Sequence, residues 1–277
     1  MPDKLIENSP AKINLFLKVI NKRSDGYFNI RSGVTFVNLY DQVIAEQSKY
    51  FQIDYKGKFA PINGQFDNCI VEKLFNKMQI TKPKYKFTII KNIPTQSGLG
   101  SASSNVAAVV RILNKLKLID YKSSNQYISI GSDVPLFINF HDCLIRGRGE
   151  KIINQIFPKY YFLIVKPNLS CSTKEMYLQI SENKLDYNID QDIDQINDFD
   201  EGNDFEKIIF SKKNEIYEIY NFLKNINESI FVRLTGSGSC IFATFDNIHS
   251  AKLGKKEFNS FFPNLWSVIA ENNNIVY

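Results

Sequence analysis

Pro94-Thr95-Gln96-Ser97-Gly98-Leu99-Gly100-Ser101-Ala102-Ser103-Ser104-Asn105 is the stretch on which the reading of this 277-residue chain turns. Before it, Tyr85, Phe87 and Ile89 alternate with Lys84, Lys86 and Thr88, which is the period of a strand. After it, Val106, Val109, Val110, Leu113 and Leu116 recur at helix spacing. A glycine-rich turn therefore joins a strand to a helix. Gly98 and Gly100 let the backbone turn and come close to a ligand. The unpaired amides of the helix start face outward, and the helix dipole favours an anion there. Ser101, Ser103 and Ser104 add hydroxyls that suit a phosphate or a magnesium ion. The same residues also suit a serine cap after a tight turn, which needs no ligand. The stretch is not a Walker A loop, because no Gly-Lys-Ser/Thr follows. It is not a dinucleotide fingerprint either, because it reads Gly-x-Gly-x-x-Ser and follows about ninety residues of other strands.

Composition narrows the class. A chain of this length buries a sizeable core in one large domain or two modest ones. The net charge is +5, with lysine and arginine spread along the chain. A nucleic-acid binder gathers its basic residues into a stripe, whereas a mildly basic surface suits an enzyme with phosphorylated substrates. Cys69, Cys143, Cys171 and Cys240 form no C-x-x-C pair, which argues against a zinc site and for reduced thiols in a cytoplasm. With only His141 and His249, chemistry built on a histidine cluster is nearly excluded. Met1-Pro2-Asp3-Lys4 lacks the regions of a signal peptide, and no apolar run reaches the ~18 residues of a membrane span.

Outward from the loop, Ile13, Leu15, Leu17 and Val19 mark a strand over Ala11–Ile20, closed by a turn at Asp25-Gly26. Val34–Leu39 and Asp41–Glu46 read as two further strands. Leu136–Phe140 is an apolar run, and Tyr160–Val165 a strand. Phe205–Ile226 reads as helical, Phe231–Leu234 and Ile241–Phe245 as strands, Ala251–Phe258 as a helix and Trp266–Ala270 as a last strand. This mixture without a strict βαβ period predicts an α+β fold in two lobes, divided near residue 150. The segment Asp186–Glu206 holds nine Asp or Glu and no Lys or Arg. Asp190, Asp192, Asp194, Asp198 and Glu201 have calcium-loop spacing, but Gln195 stands where the sharp turn needs glycine. A solvated acidic face is the better reading.

Three more segments stand out. Lys12 and Asn14 lie on the polar side of the first strand, where a lysine is often only a solvated edge charge. Asp133 in Gly131-Ser-Asp-Val-Pro135 has the placing of a turn or cap residue. Leu234-Thr-Gly-Ser-Gly-Ser-Cys240 is a second flexible turn between apolar segments.

These segments, in this order, resemble the superfamily of galacto-, homoserine, mevalonate and phosphomevalonate kinases. They most resemble its branch acting on a cytidine-diphospho sugar alcohol. Ser9-Pro-Ala-Lys-Ile-Asn-Leu-Phe-Leu17 looks like that branch's opening, and Asp25-Gly26-Tyr27 like its turn. Gly131–Pro135, Gly147-Arg-Gly-Glu150, Asn203-Asp-Phe-Glu206 and Thr235–Cys240 look like its later segments, so the likeness runs from about Ser9 to Phe245. The resemblance implies an N-terminal lobe, 1–150, like ribosomal protein S5 domain 2, and a ferredoxin-like C-terminal lobe, 151–277. It implies transfer of the ATP γ-phosphate, with Mg2+, to the 2-hydroxyl of the sugar alcohol, a step of non-mevalonate isoprenoid precursor synthesis. A cytoplasmic monomer or homodimer is implied, with ATP and the small-molecule substrate as partners and no nucleic acid or membrane.

By position, Lys12 and Asp133 match the family's catalytic pair. Asp133 would accept the hydroxyl proton; Lys12 would keep it ionised and stabilise the phosphoryl charge. Pro94 through Ser104 match the ATP loop, with Asn68 and Lys91 near the adenosine. Asn14, Tyr27, Phe28, Thr173 and Tyr177 match substrate-binding positions, Tyr27 and Tyr177 sandwiching the cytosine. Two departures stand out. Phe28 replaces a histidine that hydrogen-bonds the base edge, and Ser101-Ala102 replaces two glycines of the loop. The first leaves backbone groups to read the base, and the second drifts toward the wider superfamily, where the acceptor is mevalonate or homoserine. A non-catalytic nucleotide- or RNA-binding module is the remaining alternative.

Overall fold

The alternating segment that begins the family likeness extends into β1 (Lys4–Lys22), and a tight turn returns the chain into β2 (Phe28–Gln47). Gly26 has φ 84°, and the Tyr27 amide donates to the Asp25 carboxylate at 3.2 Å, so the Asp-Gly turn closes on its own side chain. β2 is one strand of 20 residues where the pattern predicts two. Its alternation breaks around Asn38–Tyr40 because its two halves have different partners. Ile30–Val34 pair with one strand and Gln42–Gln47 with another.

This computed structural model describes residues 3–61, 70–120, 123–182 and 202–272. They sort by packing into two units. One holds Met1–Ala11, Leu39–Thr95 and Gly100–Phe140; the other holds Lys12–Asn38, Gln96–Leu99 and His141–Tyr277.

In the first unit, β3 (Gln52–Lys56), α1 (Ile70–Lys77) and β4 (Tyr85–Ile90) form a parallel crossover. β4 also runs antiparallel to the end of β2, from Gln42 opposite Ile90 to Gln47 opposite Tyr85. α2 (Ser101–Lys115) carries the predicted apolar positions, and Val106, Val109, Val110 and Leu113 are all buried. Ala107 and Ala108 are buried too, so the helix is enclosed well beyond a single stripe. The apolar run at Leu136–Phe140 belongs to α3 (Val134–Asn139), with Pro135 in the first turn, where its missing N–H costs nothing.

In the second unit, the start of β2 pairs with β5 (Cys143–Gly147), which pairs with β6 (Lys151–Asn154). A second sheet follows from β7 (Tyr161–Lys166), α4 (Thr173–Glu182), α5 (Phe205–Lys212), α6 (Asn214–Lys224), β8 (Val232–Leu234), β9 (Ile241–Phe245), α7 (Ile248–Phe261) and β10 (Trp266–Glu271). Its strand order is β10-β7-β9-β8, antiparallel throughout, which is the ferredoxin-like arrangement. Phe162, Phe242, Phe245 and Phe258 are fully buried in this unit.

The α+β class holds. Phe205–Ile226 is two helices rather than one, broken at Lys213, which leaves helical geometry at φ −134°. β3, β5, β6, α1 and α4 carry no strong signal in the sequence. The calcium-loop spacing at Asp190–Glu201 lies outside the described residues. Among the described residues, no helix is long and apolar enough to cross a membrane.

Candidate active site

The site is built from two glycine loops and the polar face of β1. In the second unit, residues 96–99 lie against the turn at Thr235–Cys240. The Cys240 amide donates to the Ser97 carbonyl at 3.1 Å, and the Thr235 hydroxyl reaches the Gly98 carbonyl at 3.4 Å. Only glycine fits at 98. Its φ is +77°, and a Cβ there would fall inside the Thr235 carbonyl oxygen and 3.2 Å from that of Gly238. Gln96, Gly98 and Gly100 all have positive φ (49°, 77° and 74°), the left-handed region that glycine enters at least cost.

Lys12 is held against these loops. Its amide donates to the Leu99 carbonyl at 3.0 Å, and its ammonium donates to the Asn14 side-chain oxygen. A Cβ on Gly236 would lie 3.1 Å from the Lys12 ammonium nitrogen and 3.1 Å from the Gly98 carbonyl. Lys12 is only 5% exposed, so it is not a solvated edge charge. Asn14 donates to the Ser32 hydroxyl at 2.8 Å, and its amide donates to the Thr235 hydroxyl at 3.1 Å. Thr173, at the start of α4, shares a 2.8 Å hydroxyl contact with Ser237. The structure thus gathers Lys12, Asn14, Thr173 and loop residues 97–99 around the second glycine turn.

Asn203 fixes that turn from behind. Its side-chain nitrogen donates to the carbonyls of Leu234 and Gly236, each at 2.8 Å. Asp204 accepts from the Val19 amide at 2.7 Å and pairs with Lys18 at 2.5 Å, while Glu206 accepts from the Leu234 amide at 2.8 Å. The Asn203–Glu206 segment is thereby explained as a bracket between β1 and the turn before Cys240. Burial pushes the Glu206 carboxyl above its ordinary range, against the opposing pull of that amide and of Arg233.

The aromatic residues have neighbours of their own. Tyr177 stacks on Phe28, with centroids 5.4 Å apart and an interplanar angle of 25°, and meets the edge of Phe205 at 4.9 Å. Tyr27 is 57% exposed and carries the Arg148 guanidinium over its ring at 5.0 Å. Phe28 and Tyr177 are brought together, and the residue that stands over Tyr27 is Arg148, which sequence reasoning missed. Its one signal was its place in the Gly147–Glu150 segment.

In the first unit, Gly100 stands at the start of α2 without a side-chain cap, so the serine-cap alternative does not hold. The loop hydroxyls have separate fates. Ser101 donates to Asp41 at 2.7 Å, and Ser104 accepts from Ser9 at 2.9 Å. Ser103 is half-buried beside Gly131, where a Cβ would lie 3.3 Å from its hydroxyl. Ala102 is exposed on the same turn, and Pro94 is buried while Thr95 is exposed. The Lys91 ammonium turns inward to Asp41, Ser101 and Asn105. Asp133 stands at the N-terminus of α3 without capping it, and accepts from the Ser132 hydroxyl at 3.4 Å. Asn68 lies outside the described residues. No group of three or more Asp, Glu, His or Cys side chains forms a metal site among the described residues. A magnesium ion suits this donor set only as one that arrives on a nucleotide's phosphates and keeps several waters.

In the first unit α2 starts uncapped after a glycine loop, and in the second a buried lysine lies beside a glycine turn. Two family models match accordingly: GHMP kinases N terminal domain over residues 67–137, and GHMP kinases C terminal over 187–264. The 4-diphosphocytidyl-2-C-methyl-D-erythritol kinase of Pelagibacter ubique is 32% identical over 94% of this chain and 96% of its own length. The enzyme of that name from Buchnera aphidicola is 32% identical over 96% of this chain and 94% of its own. A crystal structure of 4-(cytidine 5'-diphospho)-2C-methyl-D-erythritol kinase superposes with a TM-score of 0.78 at 21% identity, covering 97% of this chain and 100% of that one. The chain belongs to the family of 4-diphosphocytidyl-2-C-methyl-D-erythritol kinases.

Proposed function

We propose that this protein transfers the γ-phosphoryl group of ATP to the 2-hydroxyl of 4-diphosphocytidyl-2-C-methyl-D-erythritol. The observation that carries this is the likeness, along 94% of the chain, to a relative bearing that name. The hydroxyl oxygen bonds to the γ-phosphorus, the bond to the bridging oxygen breaks, ADP leaves, and the hydroxyl proton passes to Asp133. A weak base suffices, because phosphoryl transfer is mostly positioning and electrostatics. Lys12, buried and tethered to Asn14, supplies fixed positive charge to the transferred group. The amides of Ser97–Gly100 and the first turn of α2 hold the phosphates. Magnesium bound with them would supply charge neutralisation, and the Ser103 hydroxyl would be the loop group to meet it. Lys91 acts near the nucleotide by shaping the helix start, while Asn14 and Thr173 contact the acceptor.

Tyr27 and the stacked Phe28 and Tyr177 offer flat apolar surfaces to the cytosine, each stacking contact being worth roughly 1–3 kcal/mol. Phe28 has no side-chain polar group for the base edge, so backbone groups do that reading. Residues 1–150 form the nucleotide-phosphate lobe, and 151–277 contribute Thr173 and Tyr177. We infer a cytoplasmic enzyme, monomeric or homodimeric, whose partners are ATP and this alcohol. The test is a coupled ADP-release assay with Mg-ATP and the cytidine substrate. Turnover of mevalonate or homoserine in its place would overturn the assignment.

A further inference from the structure

Asp41, met above only as a partner of Ser101 and Lys91, is completely buried and accepts hydrogen bonds from five groups. One carboxylate oxygen takes the amides of Asn92 at 2.6 Å and Ile93 at 2.8 Å. The other takes the Ser101 hydroxyl at 2.7 Å, the Asn105 side-chain nitrogen at 3.0 Å and the Lys91 ammonium. Asn105 donates also to the Ser9 hydroxyl at 2.8 Å, and Ser9 donates to Ser104 at 2.9 Å. Two buried groups of opposite charge, each with several partners, meet the condition under which such a pair survives in an apolar interior.

The positions of these partners matter more than their number. Asn92 and Ile93 leave β4, while Ser101, Ser104 and Asn105 open α2. A single carboxylate therefore grips the chain on both sides of residues 94–100. Those are the residues that turn through the glycine loop and present the uncapped helix start. Ligand-free loops lose conformational entropy on binding, and a loop whose ends are already fixed loses less.

We propose that Asp41 is a positioning residue for the nucleotide: it clamps both ends of the phosphate loop, with Lys91 and Ser101 as its partners, and so pre-shapes the α2 start for the phosphates of ATP. This rests on the kinase reading above. Asp41 touches no phosphate itself; it acts through the loop. Burial pulls the Lys91 ammonium down from the ordinary lysine range, and the Asp41 carboxylate opposes that pull.

The experiment measures Mg-ATP-analogue binding by calorimetry and, separately, KM for each substrate and kcat, in wild type, Asp41→Asn and Ser101→Ala. Asn at 41 keeps an oxygen for the two amides but turns an NH2 toward Ser101, Asn105 and Lys91. Nucleotide affinity should fall at least tenfold in Asp41→Asn and three- to tenfold in Ser101→Ala. KM for the alcohol should stay within twofold. Ser101→Ala deletes one hydroxyl, so it decides the matter if Asp41→Asn does not fold. Wild-type nucleotide affinity in Ser101→Ala, or equal loss for both substrates in the two variants, overturns the clamp and leaves the kinase reading standing. Failure of the wild-type chain to bind Mg-ATP overturns the kinase reading, and the clamp with it.

Discussion

Gly98→Ala tests whether the two glycine loops form one packed unit beside Lys12. The substituted residue would have to keep φ near +77°, a left-handed conformation that costs an L-residue roughly 1–2 kcal/mol. Its Cβ would also enter the Thr235 carbonyl oxygen and lie 3.0 Å from the carbonyl carbon. Both partners are backbone, so neither can swing away, and the loops must part. Parting them breaks the 3.1 Å bond from Cys240 to Ser97 and the 3.4 Å contact from Thr235 to Gly98. Two such bonds add about 1–3 kcal/mol, giving a total of about 2–5 kcal/mol. At about 2–4 °C per kcal/mol for a chain of this size, the melting midpoint should fall by roughly 4–20 °C. Gly26→Ala is the matched control. It has φ +84° but nothing within 4 Å of the new methyl, so it carries the conformational cost of about 1–2 kcal/mol alone. The assay is thermal unfolding of both variants beside wild type, followed by phosphoryl-transfer kinetics at a temperature where both are folded. Gly98→Ala should be the less stable and should lose activity, while Gly26→Ala keeps its kcat. A Gly98→Ala protein as stable as Gly26→Ala would refute the packing argument.

Three further outcomes are expected. Asp133→Ala should lower kcat by more than ~10²-fold while leaving nucleotide affinity intact, as for a lost general base; near-normal kcat removes Asp133 from that role. Tyr177→Ala should raise KM for the cytidine substrate about five- to 150-fold, the equivalent of roughly 1–3 kcal/mol of stacking, and equal KM in mutant and wild type counts against it. Glu206→Gln tests the buried carboxyl of the Asn203–Glu206 bracket. Its folded pKa is raised, so its stabilising contribution is complete below the unfolded value of about 4.3 and is lost as pH rises through the folded value. Glutamine keeps an acceptor for the Leu234 amide without the charge. The variant should melt higher than wild type at pH 7, with the difference shrinking toward pH 4; a difference that does not change with pH would be the contrary result.

Local chemistry was legible in the chain. The spacing of Val106, Val109, Val110 and Leu113 predicted the buried positions of α2, because helix geometry alone puts those residues together. The alternation at Tyr85–Ile89 predicted β4, because strand geometry sends successive side chains to opposite faces. Where several partners shape one element, the pattern failed. β2 looked like two strands because its halves meet β5 and β4 in turn. β5 and β6 are short, and their register comes from pairing rather than from their own residues.

The candidate site divides the same way. Glycine at 98 and 100, a lysine at 12 and an aspartate before a proline turn can be read from residue type and order, since backbone freedom and charge are properties of single residues. Folding alone decided which groups those residues meet. Phe28 and Tyr177 stack although 149 positions separate them in the chain. Asp41 looked like one more polar residue of a strand, and only packing made it a buried anchor for Lys91, Ser101 and Asn105. The sequence by itself determined the family and the conformational freedom of the glycine loop, because both are written in local motifs. The tertiary structure decided which hydroxyls are already bonded, which ring faces which, and what holds the loop in shape, because hydrogen bonds and packing between distant residues exist only once the chain has folded.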